Sequence, residues 1–268
     1  MAIALALLVL LATPAAALAD ILVPPGFVVD VYVTAEGFDT SAGRSARGLP
    51  SSSTLAVDGT GTLYMARSGR RYSGGEIDDL WPIFRFPPGG ARVTKDTAPG
   101  FLYGPPLPSA QVAGLRGDGQ LLVTTFDRDR KVGVLYVMVN GHAELFAGGT
   151  PARRSMAPVL VQPEGAAIDA AGNTYVADRA RDTVLKLDAR GAIVDAGHVS
   201  VKRPRLLAIG SDGALWIAAD GGAEAPWQRG PGEIWRRTAA GVTQLVRHGP
   251  VATGMSLAPS GHLFVADR

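Results

Sequence analysis

The sequence predicts an all-β fold, a β-propeller built from four-stranded blades, on three observations. A strand–turn–strand pattern recurs five times along the chain. The same small and polar residue types return at fixed offsets from the glycine of each turn. Helical apolar periodicity is evident nowhere among the repeats, whereas short alternating runs bounded by Gly, Pro, Asn and Asp are frequent.

The N-terminus stands apart from these repeats. Residues 2–12 are an unbroken apolar run, Pro14 interrupts it, and Ala17-Leu18-Ala19 has the small-x-small pattern of a secretory cleavage site. The run is shorter than the roughly 20 residues of a membrane span. Residues 1–19 are therefore expected to be a signal peptide, although no Lys or Arg precedes the run. Residues 20–268 are expected to be a single exported propeller domain, periplasmic or secreted, with no transmembrane segment after cleavage. The chain has no cysteine, so its core alone must stabilise it, and Cys-based metal sites and nucleophiles are excluded.

The repeats are anchored on Gly61, Gly119, Gly172, Gly213 and Gly261, spaced 41 to 58 residues apart. Four residues before each anchor stands Val57, Leu115, Ile168, Ile209 or Leu257, and three after it Tyr64, Leu122, Tyr175, Trp216 or Phe264. The intervening Asp-Gly, Gly-Asn and Ser-Gly pairs suit the positive φ of a short hairpin. Five before the anchor every residue is small (Ala56, Gly114, Ala167, Ala208, Ser256), which suggests a crowded place where innermost strands converge. Further strands follow most hairpins: VGVLYVMV and HAELFA, TVLKLDA and AIVDAGHV, GEIWRRT and VTQLVRH. Four strands per unit at this spacing is the signature of propeller blades.

These units resemble known families. GNTYVADRARDTVLKLDARG resembles an NHL-repeat blade, and SDGALWIAAD with GEIWRRTAAG that of streptogramin lyase-like propellers. PEGAAIDAAGNTYVAD is similar to the opening of SMP-30/gluconolactonase blades, and PPGFVVDVYV to the first strand of sorbosone dehydrogenase-type propellers. The resemblances agree on the fold and differ on the function. They imply a ring of six blades, whereas five are visible here, so the sequence is expected to be truncated at its C-terminal end. A closed five-bladed ring is the alternative. FVVDVYV, residues 27–33, is expected to close the ring by pairing in the last blade, with a seam against residues 257–267.

Eight residues before the anchors stand Ser53, Gln111, Glu164, Arg205 and Thr253, all polar and all where an innermost strand begins. In a propeller these positions surround one mouth of the central channel, where converging polar groups make a binding site. Strand starts that simply meet solvent are the plain alternative. The lactonase resemblance implies Ca²⁺ or another divalent cation, held by a glutamate, two asparagines and an aspartate. Glu164 matches the glutamate. Thr253 stands where that family has asparagine, Asn140 and Asn173 both lie in turns, and Arg205 would oppose a cation, so composition disfavours the metal.

His248, just before the fifth inner strand, is the histidine expected to overlook the channel and the best general-base candidate. There is no G-x-S-x-G elbow. A second binding candidate is the loop over residues 68–90, with Tyr72 and Trp81 beside Arg70, Arg71, Asp78 and Asp79, and a third the aromatic stretch 98–111. The net charge is +2 and the 26 basic residues are scattered among acids rather than gathered into a stripe, which argues against nucleic acid. Two functional classes follow: a non-catalytic propeller binding a small molecule or protein, or a channel-site enzyme of lactonase or quinoprotein sugar dehydrogenase type.

Overall fold

The computed structural model describes residues 25–267 apart from 27, 29, 36, 40–44, 48–53, 67–79, 82, 95, 128–129, 152, 154–155 and 223–230. The expected signal peptide, Ser53 and Tyr72 therefore lie outside the described residues. Residues 1–32 and 33–268 form separate units. In the first, the described part is a turn at Pro25-Gly26 followed by irregular chain in which Val28 and Val31 are exposed.

Among the described residues the second unit is built of strands, with two short 3-10 turns at Ala98–Phe101 and Arg179–Arg181. Its first part contains β1 (Val33–Ala35), β2 (Gly37–Asp39), β3 (Ser45–Arg47), β4 (Leu55–Val57), β5 (Leu63–Ala66), β6 (Leu80–Trp81), β7 (Ile83–Phe86), β8 (Ala91–Val93) and β9 (Leu107–Pro108). Strands β4, β5 and β7 make a three-stranded sheet. Three complete four-stranded sheets follow. The first is β10 (Gln111–Leu115), β11 (Leu121–Asp127), β12 (Val132–Val139) and β13 (His142–Gly148). The second is β14 (Pro163–Ile168), β15 (Thr174–Asp178), β16 (Thr183–Leu187) and β17 (Ile193–Ser200). The third is β18 (Pro204–Ile209), β19 (Leu215–Ala219), β20 (Gly232–Arg237) and β21 (Thr243–Gly249). A hairpin of β22 (Ala252–Leu257) and β23 (Leu263–Asp267) comes last. The fold is a β-propeller with about four blades, each an antiparallel meander.

All five expected hairpins are present, from β4–β5 to β22–β23. The anchor glycines explain their shape. Gly61, Gly119, Gly172, Gly213 and Gly261 have φ between +72° and +88°. Each closes a tight turn by donating its N–H to the carbonyl three residues earlier. A side chain is strained at such φ values, so glycine recurs there.

The core is divided among the gaps between successive sheets. Tyr64, Ile83, Val112, Leu121, Val123 and Met138 fill the first gap. Leu122, Leu135, Val137, Ala166, Val176 and Leu185 fill the second, and Tyr175, Val184, Val199, Leu215 and Ile217 the third. Strands buried on both faces need apolar residues at consecutive positions. That is why LLVTT in β11 and TYVAD in β15 lack simple alternation.

One expectation is corrected: strand β1 begins at Val33 and pairs in parallel with β8, whereas the sequence pattern puts residues 27–33 in the last blade against 257–267. Strands β1 and β8 form a two-stranded sheet of their own, apart from β4, β5 and β7. In the aromatic stretch 98–111, Phe101 and Tyr103 are half-buried and Leu102 is exposed. Phe101 lies 5.1 Å from Phe86 and Tyr103 lies 5.5 Å from Tyr64, ring centre to ring centre.

Candidate functional site

The site is built by an irregularity at the start of each inner hairpin. Pairing slips between Val112 and Gly114, Pro163 and Ala166, Pro204 and Leu206, and Ala252 and Gly254. In each case the inner strand carries one residue more than its partner, a β-bulge. The bulged segments contain Glu164, Arg205 and Thr253, three of the five residues singled out at the strand starts. In the first of the four, the extra residue is Ala113 and Gln111 pairs regularly with Thr124. Bulges redirect side chains out of the pleat, which frees these residues from the sheet faces.

The inner strands also crowd together. A Cβ on Gly165 would lie 2.5 Å from the Arg205 carbonyl oxygen, and one on Gly114 would lie 2.5 Å from that of Ala166. Glycine at both places lets three successive inner strands converge, as the small residues at the Gly114 register suggested.

Convergence assembles Gln111, Glu164 and Arg205. The Gln111 side chain hydrogen-bonds the Glu164 carboxylate. Gln162 Nε2 donates to Glu164 Oε1 at 3.1 Å, and Thr124 Oγ1 donates to the Glu164 carbonyl at 2.7 Å. Glu164 keeps some surface at the mouth, yet burial is the largest influence on its carboxyl and pushes its pKa up. Asp220 adds to the rise, while the Arg205 and Arg179 guanidinium groups and the Gln111 hydrogen bond oppose it without reversing it.

Behind this group stand two fully buried aspartates. Asp220 is fully buried, and its Oδ2 accepts from Arg179 Nε at 3.1 Å and Nη2 at 2.9 Å. Arg205 Nε is 3.5 Å from Asp220 Oδ1. Asp178, also fully buried, accepts the backbone N–H groups of Val161 at 2.8 Å and Gln162 at 3.0 Å. Those bonds fix the turn that brings Gln162 to Glu164. Arg181 anchors the same turn, donating to the carbonyls of Pro158 and Val159.

The other expected residues lie elsewhere. Thr253 Oγ1 donates to the Ala266 carbonyl at 3.3 Å, within its own hairpin. Trp81 is in β6, paired with Leu107 of β9. His248 does not overlook the channel: it is exposed on β21, the outermost strand of its blade, opposite Glu233. The outer strand simply runs to Gly249, longer than the sequence pattern suggested, before the chain crosses to β22.

Sequence reasoning missed Gln162, Arg179 and Asp220. Their signal was faint: charged residues ending the second strand of two successive hairpins, Arg179 and Asp220, 41 residues apart. A divalent cation does not fit what is assembled here. Glu164 is faced by two guanidinium groups and by amide N–H donors, all of which repel or compete with a cation. Among the described residues, no three His, Asp or Glu side chains are grouped to hold a metal.

Successive antiparallel meanders, with polar groups where their inner strands converge, define a β-propeller. Among solved structures, a streptogramin B lyase is similar at 17% identity with a TM-score of 0.51, over 87% of this chain and 65% of that one. This chain thus spans slightly less than two thirds of that protein's length. A virginiamycin B lyase from Staphylococcus aureus follows at 17% identity, covering 80% of this chain and 62% of that one, TM-score 0.49. A gluconolactonase from Xanthomonas campestris matches at 15% identity over 68% and 61%, TM-score 0.46. At 17% identity the likeness to the streptogramin B lyase is one of fold alone. No family model matches the chain, and neither does any curated protein. Among the described residues no helix is long and apolar enough to cross a membrane.

Proposed function

We propose that this chain is an exported β-propeller that binds a small polar molecule at the mouth of its channel, through Gln111, Glu164 and Arg205. One observation carries the reading: three strand starts from three successive blades bring an amide, a carboxyl and a guanidinium together. Such a set offers donors and acceptors to a hydroxylated or charged ligand and orients it from three sides. Export rests on the N-terminal pattern of residues 1–19, with residues 20–268 as the propeller domain. The β22–β23 hairpin is taken as the inner half of a fifth blade, because it repeats the bulge of the hairpins before it. Protein binding on a loop face bearing Tyr72 and Trp81 is the other form of this reading.

The second reading is a channel-site enzyme, lactonase-like or quinoprotein-like. The observation favouring it is the Glu164 carboxyl, pushed up by burial and placed between arginines, as a general acid or base would be. Fold alone does not choose between the two. Isothermal titration of the purified chain with glucose, with Ca²⁺ and with pyrroloquinoline quinone separates them. Saturable glucose binding that the Gln111→Ala variant abolishes supports the binding reading. Tight uptake of Ca²⁺ or of the quinone favours the enzyme, and no heat with any of the three refutes the site.

A further inference from the structure

Arg205 is a buried cation whose donors are largely unused. It is 5% exposed. A guanidinium carries five N–H donors. Those of Arg205 make one long hydrogen bond, from Nη2 to the Ala252 carbonyl at 3.4 Å. Its Nε stands 3.5 Å from Asp220 Oδ1, and neither of these two buried atoms has a hydrogen-bond partner. The neighbouring arginines differ. Arg179 donates twice to Asp220 Oδ2, and Arg181 reaches two backbone carbonyls. A buried arginine is tolerated when a planar acceptor engages its fork. Among the described residues no acceptor does so.

The charges around Glu164 say which acceptor is missing. Gln111 approaches from β10, Thr124 from β11, and Gln162 from the turn before β14. Asp178 ends β15, and its carboxylate is taken by two backbone N–H groups with Arg181 3.9 Å away. Arg179 follows β15 and Asp220 follows β19, and these two are paired with each other. What remains is Arg205 on β18 facing Glu164 on β14. When Glu164 carries a proton, one guanidinium is left without a matching charge. A divalent cation is repelled there, and a phosphate brings more charge than one guanidinium offsets. A carboxylate matches both charge and shape.

We propose that the channel mouth takes a small organic acid, its carboxylate against the Arg205 guanidinium and beside a protonated Glu164, with one proton taken up on binding. The inference rests on the binding reading above and names its ligand class. Burial already pushes the Glu164 carboxyl up, and a second carboxylate beside it pushes it further. Gln111 and Gln162 then hold the remaining oxygens of the pair.

Isothermal titration of the whole chain with acetate, lactate and benzoate, and with neutral lactamide, tests this at about pH 5 and about pH 8. At least one acid should bind, its affinity falling about tenfold per pH unit once Glu164 ionises in the free protein, with lactamide insensitive to pH. The enthalpy should vary with the ionisation heat of the buffer by one proton per ligand. The E164Q variant should keep acid binding and lose its pH dependence. Arg205→Met, which removes the unmatched guanidinium and leaves Asp220 paired with Arg179, should abolish acid binding while the circular dichroism stays native; if that variant does not fold, E164Q still decides. Acid binding without proton uptake, or unaffected by either variant, overturns the proposal. Glucose binding without acid binding overturns it alone, and binding of neither overturns the site reading as well.

Discussion

Two carboxyl groups five residues apart on the third inner hairpin are driven in opposite directions. Glu164, at the channel mouth, is raised: burial leads, and the two arginines and Gln111 do not offset it. Asp169, in the turn at the far end of β14, also meets burial first, yet it is held below the usual range. It accepts the N–H groups of Ala171 at 3.0 Å and Asn173 at 2.8 Å, the Asn173 amide at 2.8 Å and the Tyr175 hydroxyl at 3.1 Å. Asp58 repeats that arrangement with Thr60, Thr62 and Tyr64. The partners of Asp169 lie within six residues of it, so the turn is self-contained. Those of Glu164 arrive mostly from other blades. A turn carboxylate is therefore a local device, and the mouth carboxyl a product of assembly.

The largest effect should come from breaking the assembled region. Asp220→Ala removes the counter-charge of Arg205 and Arg179 from a fully buried position. Loss of one partner of a buried ionic cluster costs about 3–5 kcal/mol. Urea unfolding reads it, and a loss under about 1 kcal/mol would mean that the cluster is not held together by charge. Gly165→Ala comes next. Its new methyl meets the Arg205 carbonyl at 2.5 Å and must part β14 from β18, which overpacking precedent puts at about 1–3 kcal/mol. An unchanged urea midpoint would show that the inner strands do not converge as described.

The local region should respond less. Asp169→Ala costs about 1 kcal/mol, the net worth of hydrogen bonds in a turn only partly shielded from water. It has a second readout. Burial first, and then the hydrogen bond and charge of Asp169, push the Tyr175 hydroxyl up to about 12. Without Asp169, spectrophotometric titration should find Tyr175 closer to the ordinary tyrosine value. No change would make burial the sole cause.

The smallest effect is the pH dependence at Glu164. A carboxyl raised on folding favours the protonated folded state, so its contribution is present at low pH. That contribution is lost as pH rises from the unfolded value near 4.5 through the folded one. The E164Q variant should therefore melt above the wild type near neutral pH, and the gap should close in acid. The Asp169 variant should behave oppositely, losing least in acid, where the wild-type carboxylate is itself protonated. Parallel melting curves across pH would erase the contrast between the two carboxyls.

How much could be read beforehand follows the same division. Gly172 announced its hairpin because a turn needs positive φ, which is written in consecutive residues. Counting back from the anchors also found Glu164 and Arg205, since three of the four bulged repeats carry the bulge to that offset. Gln162, Arg179 and Asp220 were missed. Arg179 and Asp220 act across 41 residues, and Gln162 is aimed at Glu164 only because Asp178 holds its backbone. His248 was misplaced for the opposite reason: its sequence neighbourhood suggested a loop, while pairing with Glu233 kept it in an outer strand.

By itself the sequence determined the all-β repeat, the five inner hairpins and the polar residues that begin them, because strand period and turn stereochemistry act over a few residues. Only the tertiary structure decided that β1 pairs with β8 and not with β23, and that Gln111, Glu164 and Arg205 meet. It alone decided that Arg205 is buried with its donors unspent. Those outcomes depend on the approach of backbones at Gly165 and Gly114 and on the loss of solvent between blades, and neither exists until the sheets have packed.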